Sequence, residues 1–504
     1  MFSTDDISDR FNRVSSSIQQ AWIPLALLLT TSIHCSLAKD YEDPAPPEVF
    51  EVPSDAPDPE AKTFDRLISH AAPKPLNPEA VTSDWPRYLG PTDDVKTPET
   101  HLLETFPESG PNKVWELKKG TGYTSPVVVG DKLVLFDRIG DEERIDCLDR
   151  ETGKRFWEYS YAVEYRDRYG FSNGPRASAV IDSGKVYTMG VRSMLTCLDL
   201  KTGTLLWQRN LEEEFDVADY FFGHGSCPLL FQGKVIINLG GADNLCVAAF
   251  DQHNGKLVWG TEHEWLSSYA APVVKTMQGE PRLLVFAGGE SDPPVGGLLC
   301  IDPETGKLHD AYPWRAPKFE SVNGQTPVVT GDMAYVSDAY EIGGVMLKLT
   351  PELKWEEVWK APDFGMHWTM PLLMDGQIYA FRGRNEPDAW LASYDVSDGK
   401  ENWREELGWK IQLSPTQEYN MNYLRGALLQ ADGKAYALGE LGTFGVLKLS
   451  KEKVERGATA QLFLATSTWS PPAISRGLLY VAQHGEDRVT GNVPRIICYD
   501  LRAE

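Results

Sequence analysis

Polar and aromatic side chains recur just upstream of eight similar apolar segments in this 504-residue sequence. Arginine and histidine side chains that converge at one place can bind an anion, because both donate charge-assisted hydrogen bonds. We therefore treat these positions as candidate binding residues. They are Arg176, His224, Tyr269, Gln325, His367, Trp368, Asn422, Arg425 and Trp469, accompanied by Tyr123, Asn323 and Tyr423.

Carboxylates lie close to the same positions in the sequence. Glu164 and Asp167 fall in a long predicted loop over residues 161–175, and two further pairs precede later segments. Carboxylate oxygens can hold a cation such as Ca²⁺ or act as a general base. The further pairs are Asp216 with Asp219 and Glu290 with Asp292.

Each of these side chains also has a purely structural interpretation. Polar groups at a channel mouth can hydrate it or satisfy loop backbone groups, and a single histidine such as His224 is often an ordinary loop residue. Ser226 is not in a G-x-S-x-G sequence, and residues 120–122 (Gly-Thr-Gly) lack the rest of a dinucleotide-binding motif. The sequence therefore supports neither a serine hydrolase nor a nicotinamide-dependent enzyme.

The elements that must position these residues belong to a repeat. Its clearest copies read Asp-x-x-x-Gly-Lys-x-x-Trp or a close variant, as in residues 149–157, 199–207 and 251–259. A constant step of 46 to 54 residues predicts stacked units of one supersecondary structure. The copies begin at positions 149, 199, 251, 302, 349, 395, 449 and 500, with Leu in place of Asp at 349 and 449.

A second recurring segment lies between these copies. Eight segments join a small residue or Pro to apolar residues, as in residues 125–128 (Ser-Pro-Val-Val), and each precedes a tight turn and a further strand. The pattern predicts four antiparallel strands per unit. Eight such units predict an all-β fold, an eight-bladed β-propeller of four-stranded antiparallel blades over residues 84–504.

The two ends of the repeat region predict how the ring closes. The last unit stops at residues 498–501 without a Trp-ended strand, whereas residues 113–117 supply one ahead of the first unit. We expect the N- and C-terminal strands to pair within one blade, because closure removes free sheet edges.

The repeated Asp, Gly and Trp residues are predicted to be structural. Asp can bond the backbone two residues on and Gly takes a positive φ, whereas the spacing of a calcium loop is not met. The Trp side chains are expected to wedge between blades and to bond through the indole N–H. They are Trp115, Trp157, Trp207, Trp259, Trp359 and Trp403.

The first 83 residues are predicted to lie outside the propeller. Residues 21–29 are apolar but too few to span a bilayer, and Ser36-Leu37-Ala38 fits a cleavage site, so residues 1–38 are predicted to be a signal peptide. Acidic residues precede that stretch where a signal peptide is normally basic, so the true start codon could lie downstream of Met1. Attachment of a lipid to Cys35 is an alternative to cleavage after Ala38. Residues 39–83, rich in Pro, Asp and Glu, predict a disordered tether. The mature chain is expected to be exported, periplasmic or envelope-associated, without a transmembrane segment.

Charge and cysteine content narrow the partners further. A formal net charge of −24 opposes binding to nucleic acid or anionic lipid, so we expect no nucleic-acid partner.

Four cysteines share one repeat position, and equivalent positions in neighbouring blades are too far apart for a disulfide, which predicts small buried core residues. These cysteines are Cys147, Cys197, Cys300 and Cys498. No Cys/His cluster predicts a metal site.

The Trp-ended repeat, the Ser-Pro-Val-Val strands and residues 84–91 (DWPRYLGP) resemble the quinoprotein-like propellers, whose repeat is named after pyrroloquinoline quinone (PQQ). The resemblance covers residues 84–504 and is closest to exported bacterial PQQ-repeat proteins of the planctomycete type, related to the outer-membrane assembly lipoprotein propeller. Quinoprotein dehydrogenases of this superfamily use Ca²⁺ held by Glu, Asn and Asp, a catalytic Asp, a disulfide of adjacent cysteines and a Trp beneath the quinone. This sequence has no adjacent cysteines and no match for the calcium residues.

Two functions are compatible with this resemblance, because a repeat specifies a fold better than an activity. The leading expectation is a binding or scaffold module that presents its channel mouth to a protein or polymer at the cell envelope. The alternative is a PQQ- and calcium-dependent dehydrogenase that oxidises an alcohol or sugar. Trp368 or Trp469 lying parallel to an open slot near two or more carboxylates would favour the enzyme, whereas a closed funnel would favour binding.

Overall fold

The computed structural model describes residues 41–53, 55–384, 389–414 and 416–504. The predicted signal peptide and Cys35 lie outside these residues. The described chain contains 35 strands, one short helix (α1, Leu211–Phe215) and one 3₁₀ turn at Ala242–Asn244. None of the helices in this part of the chain is long and apolar enough to cross a membrane.

Eight antiparallel sheets, each with four strands of the repeat, form the blades, which confirms the predicted propeller. Two strands precede the first blade: β1 (Leu67–Ser69) and β2 (Asn112–Lys118). Blade 1 contains β3 (Val127–Val129), β4 (Lys132–Ile139), β5 (Glu142–Asp149) and β6 (Arg155–Ala162). Blade 2 contains β7 (Val180–Asp182), β8 (Lys185–Met189), β9 (Met194–Asp199) and β10 (Leu205–Asn210). Blade 3 contains β11 (Leu229–Phe231), β12 (Lys234–Asn238), β13 (Leu245–Asp251) and β14 (Leu257–Glu262).

The remaining blades continue the same order along the chain. Blade 4 contains β15 (Val273–Met277), β16 (Glu280–Ala287), β17 (Gly297–Ile301) and β18 (Leu308–Pro313). Blade 5 contains β19 (Val328–Thr330), β20 (Met333–Asp338), β21 (Gly343–Leu349) and β22 (Trp355–Ala361). Blade 6 contains β23 (Leu372–Met374), β24 (Gln377–Phe381), β25 (Leu391–Asp395) and β26 (Glu401–Glu405), and a separate hairpin of β27 (Trp409–Ser414) and β28 (Gln417–Met421) follows it. Blade 7 contains β29 (Ala427–Ala431), β30 (Lys434–Leu438), β31 (Thr443–Leu449) and β32 (Val454–Gln461).

Blade 8 joins the two ends of the repeat region. Its C-terminal strands are β33 (Ala473–Ser475), β34 (Leu478–Gln483) and β35 (Arg495–Asp500), and β2 pairs with the far edge of β35. Trp115 lies opposite Cys498, and Leu117 lies opposite Ile496. The ring is therefore closed as predicted, by a strand taken from ahead of the first blade.

The repeated Trp of one blade packs on the repeated Gly of the next. Gly153 has φ +68°, and a Cβ added there would lie 2.8 Å from the ring of Trp115. The indole N–H of Trp115 donates to the carbonyl oxygen of Arg150 at 3.0 Å. The same contact joins Trp157 to Gly203, Trp207 to Gly255, Trp259 to Gly306 and Trp359 to Gly399.

Most of these indole N–H groups also donate as predicted. Trp157, Trp359 and Trp403 donate to the carbonyl oxygens of Leu200, Val396 and Ser450 at 2.8 to 3.0 Å, and Trp207 donates to Gln252 at 3.4 Å. The indole nitrogen of Trp259 has no acceptor among the described residues.

Strand β32 of blade 7 has no Trp, and in blade 4, facing a turn of blade 5 that has no Gly, the repeated Trp is replaced by Asp310. Its carboxylate accepts from the backbone N–H of Trp355 at 2.7 Å and from Lys354 Nζ at 3.0 Å. A charged hydrogen-bonded contact thus replaces ring packing at this junction.

The Asp-x-x-x-Gly elements are turns, as the sequence predicts. In blade 1, one carboxylate oxygen of Asp149 accepts from both the backbone N–H and the hydroxyl of Thr152, at 2.8 and 2.7 Å. The six cysteines of the described chain are all free and buried, which confirms the prediction for the four at the repeat position.

Residues 41–53 and 55–69 form a strap across the outer edges of blades, within the segment 39–83 whose composition predicts a disordered tether. Phe50 donates its backbone N–H to Leu206 at 2.8 Å, and Lys62 and Arg155 exchange backbone hydrogen bonds at 2.9 Å. Strand β1 then pairs with β2. An extended chain can pair with an open sheet edge without a core of its own, so low hydrophobicity did not prevent order.

An ion pair holds the first part of this strap. The carboxylate of Asp43 lies 2.6 Å from the guanidinium of Arg209, whose side chain is fully buried, and it also accepts from the backbone N–H of Leu257. Arg209 also pairs with Glu214 at 2.6 Å, so Asp43 joins a buried charged network and anchors the strap to blades 2 and 3.

Residues 84–97 form a plug against the inner strands. Trp85 and Val128 exchange two backbone hydrogen bonds of 2.8 Å, so the plug extends the sheet of blade 1 toward the axis. The segment reaches the first strands of other blades through Pro86 to Ile181, Thr92 to Lys275, Val95 and Thr97 to Gln430, and Asp84 to Arg476. The channel is therefore occupied from this side by the chain itself.

Replacement of the closing tryptophan should cost more stability than the same change elsewhere in the repeat. Trp115 is fully buried, so Trp115→Ala should lower the free energy of unfolding by about 3–5 kcal/mol. Trp403→Ala is the matched control, because Trp403 holds the same repeat position but is partly exposed, and its loss should be smaller. Urea unfolding followed by circular dichroism measures both, and equal losses would contradict the expectation.

Candidate functional site

The candidate residues lie on loops that reach one end of the channel. The first strands of successive blades contact each other around the axis, as in β3 with β7 and β7 with β11. The loop that precedes each first strand therefore opens at a common end, which we call the mouth face. Because the strands are antiparallel, the links between second and third strands reach the same face.

Five residues from these loops meet in a mouth cluster. The ring centroids of Trp368 and Trp469 are 4.8 Å apart at 52°, and Tyr123 lies 5.0 Å from Trp469. His367 lies 4.2 Å from Trp368. The guanidinium carbon of Arg425 is 4.6 Å from the ring centroid of Trp368 and 5.6 Å from that of Trp469. Four of the nine candidates, with Tyr123, are thus brought together by aromatic and cation–π contacts.

Glu440 neutralises the charge of this cluster. Its carboxylate accepts from two nitrogens of Arg425, one of them at 2.8 Å, and from the indole N–H of Trp469 at 2.7 Å. Sequence reasoning missed Glu440 because only the loops before first strands were searched. The link after β30, which carries it, reaches the mouth face by strand alternation and could have been included.

Arg176 is likewise paired rather than open to a ligand. One guanidinium nitrogen lies 2.6 Å from the carboxylate of Asp167, which is buried, and the group also donates to the carbonyl oxygens of Gly174 and Ser172. Its guanidinium carbon is 5.9 Å from the ring of Tyr123. Arg176 therefore holds the long loop of residues 161–175 against the mouth cluster.

Tyr269 joins the mouth face through Phe222. Its hydroxyl accepts from the backbone N–H of Phe222 at 2.9 Å, and the two rings are 5.7 Å apart. Phe222 contacts Phe171, which in turn contacts Trp469 at 5.9 Å. A chain of aromatic contacts thus links Tyr269 to the mouth cluster, through two Phe residues that sequence analysis did not single out.

The other three candidates make hydrogen bonds to nearby residues rather than to the mouth cluster. His224 is buried, and its Nδ1 lies 3.3 Å from the hydroxyl of Ser193. Gln325 is buried and accepts from the backbone N–H of Ser337 at 2.9 Å. Asn422 accepts from the backbone N–H of Leu424 and donates to Glu406. No ring or polar contact to the mouth cluster is found for these three side chains within the described residues.

The buried histidines of the mouth face are electrically neutral at neutral pH. Burial lowers the pKa of His224 to about 4 and lowers the pKa of His484 well below its usual range. Burial, together with the positive charges of Arg425 and Arg384, lowers the pKa of His367 well below its usual range. These imidazoles cannot supply the positive charge that an anion site would need.

The space beside the mouth cluster is small. A cavity of about 10 Å³ lies next to Trp469, which is the size that a single water molecule requires. Tyr88 and Val95 of the plug line this cavity together with Trp469. The plug and the mouth cluster therefore nearly meet inside the channel.

The carboxylates that the sequence suggested for a cation do not assemble a cage. Asp167 pairs with Arg176, Glu290 pairs with Arg168 at 2.5 Å, and Asp219 lies 3.8 Å from Arg192. Among the residues that the structure describes, no group of three or more His, Cys, Asp or Glu side chains could hold a metal ion.

A larger groove of about 410 Å³ lies away from the axis on the mouth face, between blades 3, 4 and 5. Its walls are mostly aromatic and aliphatic, and Arg315 lies among them. The Arg315 guanidinium donates to the hydroxyl of Ser291 and to three backbone carbonyls, so it ties together the loops that frame the groove. Glu264, Trp265, Val295, Trp314, Ile342 and Lys360 are among the residues that line it.

A family profile with the description “Outer membrane protein assembly factor BamB” matches residues 141–341 and 247–502 of this propeller. The chain belongs to this family. The match covers blades 2 to 7 completely, together with parts of blades 1 and 8, and confirms the PQQ-type repeat predicted from the sequence.

Curated relatives of this family member include quinone-dependent dehydrogenases. A quinoprotein ethanol dehydrogenase from Pseudomonas putida is 28% identical over 186 residues, which is 35% of this chain and 28% of the relative. The dehydrogenase subunit of an alcohol dehydrogenase (quinone) from Gluconobacter oxydans is 33% identical over 123 residues, which is 23% of this chain and 16% of the relative. The chain thus spans less than a third of the length of the relatives it matches.

Solved structures support the fold at low sequence identity. The quinohemoprotein alcohol dehydrogenase from Comamonas testosteroni superposes with a TM-score of 0.58 at 14% identity, covering 84% of this chain and 81% of that one. BamB from Moraxella catarrhalis superposes with a TM-score of 0.50 at 13% identity, covering 78% of this chain and 100% of that one. At these identities the likeness is one of architecture, and it is shared by an enzyme and an assembly factor.

The residues of the mouth do not fit the quinone that such relatives' names imply. Trp368 and Trp469 touch each other at 52°, so no flat slot lies between them. The nearest carboxylate, Glu440, is already bonded to Arg425 and Trp469. PQQ and its calcium ion would have to displace this network, and no catalytic step is derived through them.

Breaking the Glu440 network should destabilise the protein through the charge it leaves behind. Glu440→Gln removes the carboxylate from a largely buried Arg425, which should cost about 2–4 kcal/mol in the free energy of unfolding. The double variant Glu440→Gln/Arg425→Leu should lose less than the sum of the two single changes, because no unpaired charge remains. Urea unfolding of the four proteins gives this comparison, and strict additivity would contradict it.

His224 should contribute to acid sensitivity. The unfolded chain takes up a proton on this histidine below about pH 6.5, whereas the folded protein does so only near pH 4, so its stabilising contribution is full above pH 6.5 and is lost as the pH falls toward 4. His224→Leu should make the fall in unfolding free energy shallower by about 1.4 kcal/mol per pH unit in this window. Urea titrations between pH 4 and 7.5 test this, and an unchanged slope would show that His224 is protonated when folded.

Proposed function

We propose that this protein is an exported binding or scaffold module of the cell envelope, which presents its mouth face to a protein or polymer. The observation that carries the proposal is the closure of the channel by the chain's own residues. The plug of residues 84–97 fills one side, and the Trp368–Trp469–Arg425–Glu440 contacts fill the other. A propeller with a filled axis has only its faces and edges left for binding.

The charged groups of the mouth support a structural role for the centre. Arg425 and Arg176 each have a carboxylate partner and additional carbonyl acceptors. A ligand anion would have to compete with ion pairs that are already formed and largely buried, at the cost of leaving Glu440 or Asp167 unpaired. Binding of an anionic ligand by Arg425 or Arg176 is therefore disfavoured. A partner would instead contact the loops around the mouth cluster.

The family supports the envelope as the location. Its description names an outer membrane protein assembly factor, and the sequence predicts a signal peptide over residues 1–38. Export and an acidic propeller with a filled channel together suit a protein whose task is to hold a partner in place. The net charge of −24 favours basic surfaces among the available partners.

The competing function is a quinone-dependent dehydrogenase, which the names of the curated relatives suggest. The purified protein, incubated at high concentration with PQQ and Ca²⁺, should show no shift of the quinone absorbance and no reduction of an electron-accepting dye by alcohols, because the slot for the quinone is filled. The Comamonas testosteroni quinohemoprotein enzyme, treated identically, serves as the positive control. A saturable shift at one PQQ per chain, accompanied by dye reduction, would overturn the binding proposal.

A further inference from the structure

An aromatic ridge runs over the mouth face between blades 1 and 5. It comprises Tyr169, Phe171, Phe221, Phe222 and Phe319. Their rings follow one another at centroid distances of 5.3 to 6.1 Å, from Phe171 through Phe222 and Phe221 to Phe319, with Tyr169 against both central rings. Three loops from three different blade junctions therefore supply one cluster of aromatic rings in mutual contact.

The two ends of this ridge and Tyr169 are open to solvent, whereas Phe222 is half-buried and Phe221, at the centre, is buried beneath them. Phe171 is 52% exposed, Phe319 is 47% exposed and Tyr169 is 41% exposed. Single exposed apolar residues are common on soluble proteins, but several exposed aromatic rings grouped over one buried ring mark an interaction surface. Aromatic residues are also the ones most enriched at the centres of protein interfaces.

The loops around the ridge carry unpaired negative charge. Six carboxylates on them form no ion pair with any described residue: Glu164, Glu213, Asp216, Glu264, Asp292 and Glu320. All are exposed except Glu320, which is partly buried.

Almost all exposed basic side chains on the same loops form ion pairs with described residues. Arg168 pairs with Glu290, Arg192 pairs with Glu212, and Lys318 pairs with Glu341 at 2.8 Å. Arg166 is the one exposed base of these loops without an ion pair among the described residues. The ridge is therefore apolar in the middle and acidic at its margins, with its remaining charges free to meet a basic partner.

We infer that the aromatic ridge docks a basic segment of a partner protein, in which apolar side chains cover the ridge and flanking Lys or Arg side chains meet the unpaired carboxylates. This inference rests on the proposed function and names the surface and the partner chemistry for it. Nucleic acid and anionic lipid share the sign of the charge around the ridge and are repelled. A row of rings on an open surface, without an enclosing cavity, suits a polypeptide better than a small molecule.

The groove described above extends this docking surface. Phe319 lies on the loop that also carries Trp314 and Arg315, and the guanidinium of Arg315 donates to the carbonyl oxygen of Phe319 at 3.3 Å. Glu264, one of the unpaired carboxylates, lines the groove. A segment that crosses the ridge past Phe319 therefore reaches a recess of about 410 Å³ with an acidic residue at its wall.

Synthetic peptides test the inference with the purified protein. The probe is a fluorescein-labelled 15-residue peptide with three Leu or Trp residues flanked by Lys, compared with a Glu-flanked peptide and with a Lys peptide in which Ser replaces the apolar residues. Fluorescence anisotropy should show binding of the first peptide only. Binding should weaken about tenfold in Phe171→Ser/Phe319→Ser, and it should weaken at high salt in the wild type because the flanking contacts are ionic.

Matched variants separate the ridge from general effects. Val258→Ser/Val358→Ser removes two apolar side chains of similar exposure (47% and 42%) on the outer strands β14 and β22, and it should bind the Lys peptide as the wild type does. Asp216→Asn/Asp292→Asn should keep the fold and lose most of the salt dependence. Circular dichroism and urea unfolding verify folding of each variant.

The outcomes against the inference are distinct from those against the proposed function. Equal binding of the Lys and Glu peptides, unchanged binding in Phe171→Ser/Phe319→Ser, or no binding of any peptide would overturn the ridge assignment. Binding of the protein to neutral phosphatidylcholine vesicles through the same two Phe residues would assign the ridge to a membrane instead. None of these results bears on PQQ, whose binding alone tests the channel.

Discussion

The docking of one blade's Trp onto the Gly turn of the next blade, which recurs at five blade junctions, is the constraint on which the rest of the architecture depends. An indole ring fits there because glycine has no Cβ, and a methyl group at Gly153 would overlap Trp115. The ring then buries a large apolar area and satisfies its N–H on the neighbouring backbone. Where the Trp is lost, as at Asp310, the next turn has no Gly and the contact becomes ionic. The two residues of the contact thus belong to different blades, and at the junction of blades 6 and 7 Trp403 bonds to Ser450 in a turn that has no Gly.

A ring held in this way has eight inner strands around an axis, and this protein fills the axis itself. The plug adds backbone hydrogen bonds to the inner strand of blade 1, and the mouth cluster closes the opposite end through Trp368 and Trp469. Enzymes and assembly factors share the ring, so the difference between them lies in what occupies its centre. Here the centre contributes to stability, and the surfaces left for partners are the loops and the ridge.

The repeat made the fold predictable, because Asp, Gly and Trp at constant spacing report turns and packing contacts that are local to one junction. Closure was predictable for the same reason, since Trp115 had no repeat of its own and the last repeat had no Trp. The candidate site was predicted only in part. Loops before the first strands were found, but Glu440 and His484 lie in links after second strands, and Phe171 and Phe222 carry no polar signal. The contacts of the strap were not predicted, because amino-acid composition indicates whether a segment can form a hydrophobic core of its own. It does not indicate whether the segment can pair with the edge strand of a neighbouring sheet.

Strand β2 pairs with β35, so the first blade strand of the chain has its partner at the last one. During synthesis, Asn112–Lys118 can pair with β1 on one edge, but its other edge has no partner until β35, near the end of the chain, has been made. Blade 8 cannot be completed before the C-terminal strands are made. Until then, the edge of β2 that pairs with β35 is unpaired and can form non-native strand pairs. The last blade to form is therefore the one that contains the earliest strand of the ring.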